Sequence, residues 1–335
     1  FISGYCQSGC ATMNQFAKMF NLEKETNQSS LQPLLDALLD NTNLFPAHYL
    51  PSFSDISEQD LSAVCEVWPH VSVERKISLL NDLESIMEEN SLLSFDAIAE
   101  FALTDEDAHV RSCAISLLWE SNNPHLVETL CTMLENDPSD LVQISAAAGL
   151  GRFVLLGELG EISERWSHRA IEALRKKQVE TPHKELKQEI LKSLAYTASP
   201  EINRQIEDAN AQPDLTWQLA AITAMGRTAD ARWEQPLLKA INSTEITLQY
   251  EAVKAVGEIE LQSARKPLLK MLQARVNEFE LRLHVIWALA HIGGENVKET
   301  LQALREKAHD DEEADVIERA LDLLEFSEEL PDLDL

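Results

Sequence analysis

The sequence predicts an all-α fold, a right-handed α-α superhelix of about eight stacked helix pairs, the arrangement expected of a helical repeat array. Three observations predict it. A ten-residue apolar pattern returns along most of the 335 residues at intervals near 32. Glycine (10) and proline (12) are sparse for this length, and alternating β-branched stretches are missing. Apolar residues reach 44%, enough for a long core. The chain divides into a leader outside the fold (1–29), an N-terminal helical cap (30–68), the repeats (69–326) and an acidic tail (327–335).

The repeated pattern is clearest as VRSCAISLLW (110–119), VQISAAAGLG (142–151), LKQEILKSLA (186–195), WQLAAITAMG (217–226), LQYEAVKAVG (248–257) and LRLHVIWALA (281–290). VERKISLLND (73–82) and VIERALDLLE (316–325) are weaker copies. The anchors Val73, Val110, Val142, Leu186, Trp217, Leu248, Leu281 and Val316 are separated by 37, 32, 44, 31, 31, 33 and 35 residues. An interval near 32 holds one helix–turn–helix unit. Offsets 0, 4, 5, 7 and 8 from each anchor are apolar or small, and at 100° per residue they cover one helix face. Small residues such as Ala114, Ala146, Ala221, Ala252 and Ala288 let neighbouring helices approach closely. Gly226 and Gly257 stand near where these helices should end, and the Gly293–Gly294 pair follows its helix in the same way.

Taken in order, "SLQPLLDALLDN" (30–41) predicts a helix capped by Ser30, and "FPAHYLPSFSD" (45–55) an irregular segment. Partner helices precede the copies: PHLVETLCTML (124–134), WSHRAIEALRKK (166–177), PEINRQIEDA (200–209), WEQPLLKAI (233–241), ARKPLLKML (264–272) and NVKETLQALREKA (296–308). Pro267 falls in a first turn, where a missing N–H costs nothing. Leu237/Ile241 and Leu268/Leu272 face inward. "ENDPSD" (135–140), "AQPD" (211–214) and "HDDEE" (309–313) supply capping carboxylates. The 44-residue interval predicts an extended helix and loop over 152–165, and the acidic last helix a terminal cap.

These residues resemble the HEAT-repeat family, in particular the short repeats of phycobilisome-lyase-type proteins. The family pattern is a Pro-Leu-Leu helix, an Asp turn and a Val-Arg-x-x-Ala-x-x-x-Leu-Gly helix. Asp107, Val110, Arg111, Ala114 and Leu118 match it best; Leu281–Arg282 also fits. Elsewhere the Arg is replaced by Gln143, Lys187, Gln218 or Gln249. The resemblance spans roughly 60–325 and implies an armadillo/HEAT-like solenoid. It says much less about function. HEAT-like deoxyhypusine hydroxylases carry repeated His-Glu metal dyads, whereas none of the nine histidines here is followed by Glu.

Chemistry-bearing motifs are missing: there is no HExxH, P-loop, GxSxG or CxxC. No catalytic residue, cofactor or metal ligand is therefore assigned. Cys6 and Cys10 alone cannot complete a tetrahedral site. His284 and His291, seven residues apart, could join Glu251 only with convergence that spacing does not supply. The net charge of −29 (28 basic, 57 acidic residues) opposes nucleic-acid and anionic-membrane partners. The one basic stretch, Arg165 to Lys192, reads as a solvated face paired with Glu172, Glu180, Glu185 and Glu189. Five cysteines without metal-type pairing favour reduced thiols and a cytoplasmic protein. The most apolar stretch, Leu141–Gly160, is interrupted by Gln143, Arg152 and Glu158, so no membrane span is expected.

Offsets 2 and 6 point away from the apolar arc and should line the concave face. In the last three full copies they carry Leu219, Tyr250, Lys254, Leu283 and Trp287. A row of aromatic and aliphatic groups on an outward face marks an interaction site, and Tyr and Trp are favoured anchors. The expectation is a scaffold that binds a protein or peptide there. The resemblance also admits an accessory subunit of an enzyme, such as a phycobilin-lyase-like protein. The stretch from Asp310 holds twelve acidic residues and one Arg, and its end, EELPDLDL (328–335), reads as a solubilising end or a peptide motif.

Overall fold

The computed structural model describes residues 31–90, 92–274, 278–307 and 311–329. Among them every regular element is helical. The fold is all-α, as the periodicity predicts. The leader with Cys6, Cys10 and the Ser30 cap lies outside the described residues, as does the tail beyond Glu329. The chain forms two compact units, Phe1–Asn123 and Pro124–Leu335.

In the first unit, α1 (Gln32–Leu39) packs on α2 (Glu58–Val67), and the segment expected to be irregular is a 3-10 turn, Ala47–Phe53. Ser57 caps α2, and Ser72 caps α3 (Val73–Glu89) by accepting from the backbone N–H of Arg75. α4 (Asp96–Ala102) pairs with α5 (Ala108–Leu117), and α5 also packs on α3. Asp107 caps α5 by accepting from the N–H groups of His109 and Val110. Below this turn lies a buried hub. Asp105 Oδ2 accepts from Lys76 Nζ at 2.7 Å and from Trp68 Nε1 at 2.7 Å, while its Oδ1 accepts from the Asp107 N–H at 2.8 Å. Lys76 also sits over the Trp68 ring, 5.2 Å from its centroid.

The second unit is built from helix pairs. The first helices are α6 (Leu126–Asn136), α8 (Glu164–Glu180), α10 (Pro200–Asn210), α12 (Glu234–Ile241), α14 (Arg265–Gln273) and α16 (Val297–Arg305). Each packs on the helix after it: α7 (Asp140–Glu158), α9 (Lys184–Leu194), α11 (Leu215–Thr228), α13 (Ile246–Glu258), α15 (Phe279–Ile292) and α17 (Asp311–Glu329). The second helices also pack on one another in unbroken succession, α7 through α17, whereas α6 on α8 is the substantial contact within the first layer. The second layer is therefore the tighter one.

Small side chains make that closeness possible. The fourth offset, Ala146, Ile190, Ala221, Ala252 and Val285, is fully buried throughout. Gly226 and Gly257 lie within two residues of the ends of α11 and α13, near where the sequence placed those ends. A Cβ there would come within 2.9 Å of Ala255 Cβ and 2.5 Å of Trp287 respectively. They are contact points between adjacent second helices. The left-handed positions after those helices go instead to Ala229 (φ 50°) and Glu260 (φ 51°). Gly293 (φ 60°) and Gly294 (φ 89°) do terminate α15.

The long interval resolves into two long helices, α7 and α8, joined through Gly160 (φ 72°). α7 alone among the described residues is long and apolar enough to cross a membrane. Here it packs on α6, α8 and α9, with Val142, Ala146, Leu150, Phe153 and Val154 buried. At the other end, α17 closes the layer. Ile317 and Leu324 are buried, and Glu313 and Glu318 accept from Arg282 Nε (2.6 Å) and Arg305 Nε (2.8 Å). Much of the acidic end is thus a packed helix rather than a free tail.

Candidate functional site

The first offset of the second helices, Arg in the repeat pattern and mostly Gln here, has a structural duty. Gln143, Gln218 and Gln249 each turn back and donate through Nε2 to the carbonyl six residues earlier, at 2.7, 2.8 and 2.7 Å. Arg111 does the same to Asp105 O at 2.8 Å. These donors pin the turn between the two helices of a pair, satisfying carbonyls that would otherwise lack partners. Sequence reasoning recorded the Arg-to-Gln change but missed what the residue types share, a long side chain ending in an N–H donor. Arg282 also reaches α17, donating through Nε to Glu313 at 2.6 Å.

Offsets 2 and 6 carry the candidate binding residues. Leu219, Tyr250 and Trp287 are half-buried, and Lys254 is exposed. Leu283 is buried at 8% exposure, in a helix that packs on α13, α14, α16 and α17. The expected continuous row is therefore divided. Leu219 and Tyr250 share a groove of about 300 Å³ with Ile246, Thr247, Glu251, Glu278, Glu280 and Leu281. Trp287 lies elsewhere, over Gly257 and against the His291 ring at 4.6 Å. Lys254 Nζ stands 4.0 Å from Glu258.

Tyr250 is held from behind. Its hydroxyl lies 2.8 Å from His284 Nε2, and His284 Nδ1 lies 2.9 Å from the Glu280 carbonyl. A carbonyl only accepts, so Nδ1 carries a proton; in the neutral imidazole Nε2 then accepts and the Tyr250 hydroxyl donates. The rings sit 4.3 Å apart. Burial, then the charges of Glu251 and Glu280, push the Tyr250 phenol above its ordinary value. It stays a neutral donor at physiological pH.

His284 is thus occupied with Tyr250, and His291 with Trp287. Among the described residues no three His, Cys, Asp or Glu side chains converge as a metal site would require. Burial lowers the His291 pKa. Cys65, Cys113 and Cys131 are free thiols.

The basic stretch is paired, but mostly not along its own helix as the sequence suggested. Arg169 meets Glu128 at 3.3 Å, Lys176 meets Glu135 at 3.4 Å, and Lys184 meets Asp214 at 2.8 Å. Lys192 pairs locally with Glu189. Arg165 covers the Trp166 ring at 4.9 Å. Near the end of this stretch a second cavity of about 380 Å³ is lined by Asp140, Gln143, Lys177, Glu180, Thr181, Pro182 and His183. His183 there accepts from the Leu186 N–H through Nδ1, and its Nε2 lies 3.4 Å from Asp140. Its ring serves as the cap of α9.

A family model described as HEAT repeats matches residues 95–195 and 234–325, more than half of the chain. No curated protein matches it. Among solved structures, an engineered protein aligns at 18% identity over 87% of this chain and 88% of its own, with a TM-score of 0.37. Human deoxyhypusine hydroxylase in complex with glycerol aligns at 16% identity over 82% and 99%, with a TM-score of 0.36. A chain from a structure of Kap95p binding to RanGDP aligns at 14% identity over 89% and 46%, with a TM-score of 0.42.

Proposed function

The chain belongs to the HEAT-repeat family, and from that premise we propose that it is a non-catalytic scaffold that binds a protein or peptide segment on its second-helix layer. The observation that carries the reading is the groove at Leu219 and Tyr250. There the tightest layer of the repeat array leaves apolar and aromatic surface uncovered, on helices held rigidly from both sides. Ile246 is 46% exposed at its lip and adds aliphatic surface beside Leu219 and the Tyr250 ring. The aromatic ring is already oriented by His284, so binding loses little side-chain entropy there. Lys254 and Trp287 lie further along the same helices, outside the groove. The charge balance and free thiols suit a cytoplasmic protein whose partner is neither a nucleic acid nor a membrane.

Selection of displayed random peptides against the intact chain, followed by hydrogen exchange with a selected peptide bound, tests this reading. Protection should concentrate on 216–223, 246–254 and 278–287. Absence of any selectable peptide, or protection confined to α10, α12, α14 and α16, would refute it.

A further inference from the structure

The groove between α11, α13 and α15 has a floor and a rim of different character. Buried Leu281, half-buried Leu219 and the Tyr250 ring form the floor, with Ile246 beside them. The rim carries Glu251, Glu278 and Glu280, and among the described residues none of the lining side chains is basic. Described cations on these helices are engaged elsewhere: Arg282 with Glu313 at 2.6 Å, and Lys254 beside Glu258. Helix dipoles account for part of the rim, since Glu278 and Glu280 stand at the start of α15. They do not account for Glu251, in mid-α13, whose Oε2 accepts from Thr223 at 3.0 Å. Three carboxylates thus face one apolar slot, with no compensating charge among its described lining residues.

We propose that this groove receives a positively charged extended segment. The aliphatic stem of a Lys or Arg side chain lies on Leu219, Ile246 and Tyr250, and its cationic head meets Glu251, Glu278 and Glu280. Long basic side chains pair an apolar stem with a charged tip, the combination this floor and rim complement. The inference rests on the scaffold reading and names the chemistry of its partner.

Fluorescence anisotropy with the intact chain tests it, using two labelled synthetic peptides. One contains Leu-Lys-Arg-Leu-Lys-Leu; in the other every Lys and Arg is Gln. The cationic peptide should bind roughly tenfold more tightly, the product of several partly exposed charge pairs. The advantage should shrink as salt rises. Glu251→Gln/Glu278→Gln/Glu280→Gln should abolish most of it. Glu201→Gln/Glu207→Gln/Glu299→Gln, on the first-helix layer, should leave it intact. Equal losses in both triples would mean diffuse attraction to an acidic protein and overturn the proposal. So would an advantage that survives the groove triple. Equal binding of the two peptides, lost in Leu219→Ala/Tyr250→Ala, would overturn it while leaving the scaffold reading standing. Binding of neither peptide would overturn it too, and the random-peptide selection then judges the scaffold reading separately.

Discussion

Replacing Asp105 with Asn should cost the first unit about 3 kcal/mol, at the lower end of the range for removing one partner of a buried ion pair. The geometry sets the figure. The Asp105 side chain is 4% exposed and Lys76 is 9% exposed, so neither charge can turn to water without disrupting its surroundings. Asparagine keeps the shape but offers one acceptor oxygen where the carboxylate uses two. Either Lys76 and Trp68, or the Asp107 N–H, must then face an NH2 group. The Lys76 ammonium also loses its counter-charge, leaving the Trp68 ring at 5.2 Å as partial compensation. Lys76→Met should cost less, because Asp105 keeps two donors. The double variant should be more stable than the sum of the two losses predicts, by about 2 kcal/mol of coupling. Burial pushes the Asp105 carboxyl up, but Lys76, the Asp107 N–H and Trp68 together hold it below the ordinary range. A depressed folded-state pKa stabilises above the unfolded carboxylate value of about 3.9, and that contribution fades as pH falls through the lower folded value. Urea unfolding with hydrogen exchange read over residues 64–110 measures each effect. A loss under about 1 kcal/mol for Asp105→Asn, or strict additivity of the pair, would show that the hub is solvated and refute this account.

Other consequences are as direct. Gly257→Ala places a Cβ 2.5 Å from Trp287 and 3.0 Å from Ala288 Cα. The overpacking cost of about 1–3 kcal/mol should exceed the roughly 1 kcal/mol of helix propensity gained, lowering the melting temperature. Gln143→Ala, Gln218→Ala and Gln249→Ala should each cost about 0.5–1.5 kcal/mol in denaturant unfolding, as the loss of one side-chain hydrogen bond per turn. Burial pushes the Cys131 thiol up to about 11 against the opposing charge of Arg169, with Glu128 and Glu135 adding to the rise. In native protein at mildly alkaline pH, iodoacetamide should therefore modify Cys131 more slowly than half-buried Cys65 and Cys113, read by mass spectrometry.

The repeat was legible because it is local and periodic. Val110, Ala114 and Leu118 declare a buried helix face from spacing alone, and Pro267 and Asp107 mark starts and caps that the structure keeps. What spacing could not show was how many sides of a second helix are covered. Each is packed by its own first helix and by the second helices beside it, so its apolar arc is wider than that of a surface helix. That is why Leu283 is buried although its wheel position points outward, and why Gly226 and Gly257, close to their helix ends, are also contacts. Partners distant in sequence were also invisible. Lys76 and Asp105 are 29 residues apart, and Arg169 and Glu128 are 41 apart. No local pattern links them. Of the candidate binding residues, Leu219 and Tyr250 were legible as one surface. The acidic rim was not, because Glu278 and Glu280 precede the repeated pattern and read as ordinary helix starts.

Site-specific crosslinking tests the central claim most directly. A benzophenone amino acid replacing Thr247, exposed at the groove, should crosslink the cationic peptide efficiently, and excess unlabelled peptide should suppress the product. The same group replacing Gln302, exposed on α16, should not. Equal crosslinking at the two positions, or a product at Gln302 alone, would contradict the assignment of binding to the second-helix layer.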